Sequence, residues 1–161
     1  MKKSKILLIF TAIILIISGC KPHVERTQAD KAYYEYCIIY VELFSPDKIS
    51  ENWDEKRIDY LTSNNFEVKY EKLKEAVENY EAVMTDKNSS TLENITRHIE
   101  TTDKFLNYAK KYKETGKYKV DEITESERLD RGPLQSSIGI AYDAMLTIID
   151  AWEKTTPVYV D

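Results

Sequence analysis

The chain has 161 residues and carries 28 acidic against 23 basic side chains, a formal balance of −5. Such a surface is repelled by phosphate backbones and by anionic lipid head groups, which argues against nucleic-acid binding and against a polybasic membrane contact. The two cysteines are Cys20 and Cys37.

Lys2, Lys3 and Lys5 form a positive opening region, and Ile6 to Ile17 is apolar apart from Thr11, the layout of a secretory signal peptide. A helix of that length rises only about 18 Å, short of the roughly 30 Å hydrocarbon core, so it makes a poor permanent span. An ordinary secretory cleavage site wants small residues at the first and third positions before the cut, and Ile17 breaks that pattern.

The run closes with Ile17-Ser18-Gly19-Cys20. Here the leader resembles the lipobox of bacterial lipoproteins, in which an aliphatic and two small residues precede a cysteine. The resemblance implies cleavage after Gly19 and acylation of Cys20 by fatty chains of the palmitate type, making Cys20 the mature N-terminus. Each buried methylene contributes about 0.8 kcal/mol, so two or three chains hold the protein on a membrane. The expected location is the cell membrane or outer membrane, lipid-anchored and extracytoplasmic. Lys21 is not the aspartate that signals inner-membrane retention in that family.

This divides the chain into a signal peptide (1–19), an acylated tether (20–28) and a single helical-bundle domain (29–161). Loss of the three leader lysines leaves 20 basic against 28 acidic side chains in 142 residues, a balance of −8. That length suits one domain with a real core. An acylated Cys20 would leave Cys37 as the one free thiol, and the fold would then rest on packing and not on a disulfide.

Beyond the tether, Ala29, Ala32, Tyr33, Tyr36, Cys37, Tyr40, Leu43 and Phe44 recur in helical steps, and Ser45-Pro46 closes this first helix. Cys37 lies in that stripe and reads as a small buried hydrophobe. Ser45 and Pro46 also suit the start of a second, weaker helix with Ile49, Trp53, Tyr60 and Leu61, ended by Asn64-Asn65. The clearest stripe follows, Phe66, Tyr70, Leu73, Val77, Tyr80 and Met84, too short for a coiled coil.

Ser90-Thr91-Leu92-Glu93 matches a capping box, opening a helix with Leu92, Ile95, Ile99, Thr102, Leu106 and Ala109 on its apolar side and Gly116 as its stop. The charged stretch 117–131 reads as an exposed connector. Gly132-Pro133 reads as the start of the last helix, with Ile138, Ala141, Tyr142, Met145, Ile148, Ile149 and Trp152 inward. Thr155-Thr156-Pro157 breaks it before a short extended segment, Val158-Tyr159-Val160. The expected fold is all-α, an antiparallel bundle of four to five helices.

Chemistry-bearing patterns are missing. His98 reads as a surface imidazole, because Ile95 stands where a Glu-x-x-His metal motif needs glutamate. The acidic stretch 121–127 lacks the alternating aspartates and glycine of a calcium loop. No cofactor, metal or catalytic residue is expected, and no enzyme.

Twelve tyrosines are the one enrichment. Tyr33, Tyr36 and Tyr40 fit the core, while Tyr34, Tyr108, Tyr112 and Tyr118 are the candidates for a partner surface, since aromatic rings with a polar tip favour interfaces. Tyr36-Cys37, Tyr112-Lys113 and Tyr118-Lys119-Val120-Asp121-Glu122 are similar to the YiiG-like bacterial lipoproteins of unknown function at scattered positions, with departures over most of the chain. That resemblance implies a helical envelope lipoprotein and no activity.

The first expectation is therefore a non-catalytic binding or structural module in the cell envelope, held on a membrane by its acyl chains and meeting a protein partner. The alternative is a protective lipoprotein of the toxin-immunity or phage-exclusion kind, which small size, acidic charge and tethering also suit.

Overall fold

The computed structural model describes residues 21–45, 54–85, 89–116 and 125–160. The leader with Cys20, the second-helix candidates Ile49 and Trp53, and Tyr118 with the acidic residues 121–124 lie outside them. Within them the order is β1 (His23–Arg26), α1 (Gln28–Leu43), α2 (Glu55–Leu61), α3 (Asn64–Val83), α4 (Ser90–Thr115), α5 (Glu125–Glu153) and β2 (Thr156–Tyr159).

The starts of α1 to α4 are each closed by a side chain that accepts from a free backbone amide. Thr27 and Asp30 form a capping box on α1: the Asp30 amide donates to Thr27 Oγ1 at 3.1 Å, and the Thr27 amide donates to the Asp30 carboxylate at 2.7 Å. Asp54 caps α2 through the Arg57 amide at 2.9 Å. Ser63 caps α3 through the Phe66 amide at 3.2 Å, so Asn64-Asn65 opens a helix rather than ending one.

Ser89, not Ser90, caps α4, accepting from the Leu92 amide at 3.2 Å. The shift by one residue puts leucine at the third helical position, and Glu93 instead pairs with Arg97 at 2.9 Å. Gly116 does terminate α4, in the left-handed region at φ 67°, where a side chain would be strained.

The last helix departs most from the sequence expectation. It begins at Glu125 and runs through Gly132 and Pro133, so residues 125–131 are helix and not connector. An interior proline forfeits one hydrogen bond, at a cost of about 3 kcal/mol. Its fixed φ is still helical, and burial of Arg131 and Ile138 on either side holds the segment on the bundle.

Contacts between the long helices fix an up-down-up-down arrangement. Tyr33 meets Tyr80 (ring centroids 5.5 Å) and Phe44 meets Phe66 (5.9 Å), so α3 runs against α1. Met84 meets Ser89, and Tyr70 meets Asp103, so α4 runs against α3. Tyr34 stacks on Trp152, and the Tyr40 hydroxyl reaches the Ile138 carbonyl, so α5 runs against α1. The fold is an all-α antiparallel bundle in which short α2 lies across one end, its Tyr60 hydroxyl donating to the Leu43 carbonyl at 2.9 Å.

An even number of long helices returns the chain to the pole where it started. There β2 pairs with β1 in parallel, His23 opposite Thr156 and Arg26 opposite Tyr159. The ladder continues through the Thr156 amide to the Pro22 carbonyl (2.8 Å) and the Val160 amide to the Arg26 carbonyl (2.9 Å). Residues 23–27, expected to be part of a tether, are therefore strand and cap.

The core is rich in rings. Tyr36, Tyr40, Phe66, Phe105 and Tyr112 are all buried, with Leu43, Ile58, Leu73, Ile95 and Met145 between them. Phe66 takes Phe44 and Tyr60 edge-on, an arrangement that the ring quadrupole favours.

Candidate functional site

Among the described residues, besides the buried arginines Arg57 and Arg131, three places that combine polar side chains with a concavity or an interior position stand out. The first lies inside the bundle. The Tyr36 hydroxyl is 3.2 Å from His98 Nδ1, and the His98 ring tilts against Tyr40 with centroids 5.8 Å apart. His98 is half-buried and not a surface imidazole, because the turn of α4 that carries it faces α1. On the same helix Tyr33 stands one turn before buried Cys37.

Burial dominates the protonation of this cluster. It pushes the Cys37 thiol and the Tyr33 hydroxyl each up to about 12, and raises Tyr36 and Tyr40 as well. It lowers His98, with the Arg97 charge acting in the same direction. Every group is thus driven toward its neutral form, the opposite of what activates a thiolate or a phenolate.

The second place is a cleft of about 150 Å³ lined by residues of α3 and α4, among them Phe66, Tyr70, Asp103 and Leu106. In this lining the Tyr70 hydroxyl donates to the Asp103 carboxylate at 2.8 Å and lies 3.2 Å from the Ile99 carbonyl. Burial and that carboxylate both raise Tyr70, so it is a fixed donor and not a base.

The third is a shelf at the sheet pole. Tyr34 stacks on Trp152 at 4.5 Å with the planes 10° apart, and the Arg26 guanidinium lies 4.5 Å from the Trp152 ring centroid. Lys31 sits 5.8 Å over Tyr159. Arg26, Asp30, Tyr33, Tyr34, Ile148 and Trp152 enclose a pocket of about 200 Å³. Strand pairing puts Arg26 here, and the antiparallel crossing of α1 and α5 brings Tyr34 to Trp152.

The tyrosines expected on one partner surface are dispersed. Tyr34 belongs to the shelf. Tyr108 is half-buried toward the other pole and stacks on Tyr112, with centroids 6.4 Å apart. Tyr112 is a correction: only 1% exposed, it is a core residue. The helical stripe through Thr102 and Ala109 reaches Tyr112 one step later, and Phe105 belongs to it too, so the signal is present in the spacing. Tyr118 and the expected lipid-attachment residue Cys20 lie outside the described residues. Trp152, Arg26 and the partners of His98 have no sequence signal as a group, since each contact joins residues more than fifty positions apart.

Among the described residues no three His, Cys, Asp or Glu side chains come together as a metal site, and no helix is long and apolar enough to cross a membrane. Comparison with protein-family models, with curated proteins and with solved structures finds no match to this chain.

Proposed function

We propose that the chain is a lipid-anchored, extracytoplasmic module of the bacterial cell envelope that binds a protein partner and performs no catalysis. The observation that carries it is the leader ending in Ile17-Ser18-Gly19-Cys20. Two features of the folded part support it. Strand β1 starts three residues after Cys20, so an acyl anchor joins an ordered body through a short link. The thiol and phenols of the interior are held toward neutrality, which suits packing and not nucleophilic work.

Mass spectrometry of the chain recovered from bacterial membranes tests this. The expected species begins at Cys20 and carries the mass of its fatty chains, and Cys20→Ala releases the protein from the membrane fraction. Cys20 found unmodified, with the leader intact or cut elsewhere, overturns the proposal.

A further inference from the structure

We propose that the sheet pole rests on the bilayer, with the outward face of β1 and β2 against the lipid head groups and the bundle standing upright from it. The inference rests on acylation of Cys20 and adds an orientation that the anchor alone does not impose.

The reach of the chain sets the first constraint. His23 is the third residue after Cys20, and extended chain covers at most about 3.5 Å per residue, so β1 begins within about 10 Å of a residue whose acyl chains enter the membrane. The parallel register then pulls residues 156–160 to the same level, because Thr156 bonds to Pro22 and Val160 to Arg26. A flexible tether would leave the body free to tumble; a strand paired and capped from residue 22 onward does not.

Side-chain alternation sets the second. Val24, Arg26 and Pro157 point inward and are half-buried, which turns His23, Glu25, Thr156, Val158 and Val160 outward. Val158 and Val160 on that face are 44% and 37% exposed.

Helix α4, with 26 residues, then lifts the opposite pole about 40 Å above the lipid.

The test uses the full chain made with its leader, its mass checked for acylated Cys20, and reconstituted in phosphatidylcholine vesicles. Single cysteines at Thr156→Cys and Val160→Cys report the sheet pole, and Glu114→Cys the opposite one; buried Cys37 does not compete for the dye. Each site is labelled with a small fluorophore, and quenching by lipids bearing a nitroxide on the head group is measured. Several-fold stronger quenching at 156 and 160 than at 114 is the expected result. Equal quenching at the three sites, or stronger quenching at 114, in protein of the acylated mass overturns the orientation and leaves the anchor intact. An unmodified Cys20 removes both.

Discussion

The two poles of the bundle use the same pair of groups, a guanidinium over an aromatic ring, in different surroundings. At the sheet pole Arg26 lies over half-exposed Trp152. At the other, Arg57 lies 5.0 Å from the Phe105 ring centroid with only 3% of its surface exposed, and burial, reinforced by the charge of nearby Arg131, lowers its basicity to about 10. The attraction of a cation to a ring face grows when water is excluded, but so does the cost of keeping the charge. The interior pair is therefore tied to folding more closely than the half-buried pair at the sheet pole.

Truncating each ring in turn sharpens that comparison. Phe105→Ala removes a fully buried side chain and leaves a cavity beneath Arg57, so it is expected to cost about 3–5 kcal/mol, read as a drop in the denaturant midpoint. Trp152→Ala removes a half-exposed ring with one stacked partner and one cation and is expected to cost about 1 kcal/mol. Equal losses in the two variants would erase the distinction between the poles.

The smallest effect concerns His98, between the poles. Its folded value lies below the ordinary 6.5 because burial disfavours the imidazolium. The unfolded chain then binds more protons than the folded one, so this contribution is complete above the unfolded value and is lost as pH falls from there through the folded value. The denaturant midpoint of the wild type should fall more steeply below about pH 6.5 than that of His98→Gln. Parallel slopes would mean that the contact between Tyr36 and His98 does not sense protonation.

Helix positions are largely legible in the amino-acid sequence, for a local reason. Phe66, Tyr70, Leu73 and Tyr80 recur at the helical period because a helix presents every third or fourth residue to the same side, and all four are buried. Burial of Cys37 and the Gly116 stop follow from the same kind of short-range pattern. Boundaries are less legible: Ser89 and Ser90 are chemically equivalent caps, and only the backbone geometry selects between them. Gly132-Pro133 carries a strong start signal that packing of residues 125–131 overrides.

What the sequence by itself determined is a mostly helical body, because helical periodicity is written within a few turns of chain. The tertiary structure alone decided that residues 23–26 pair with 156–159, that His98 meets Tyr36, that Tyr112 is interior, and that Tyr34, Trp152 and Arg26 share one shelf. Each of these is a contact across elements, set by which faces four antiparallel cylinders must bury against one another, and the spacing of residues within any one helix carries no record of its partner.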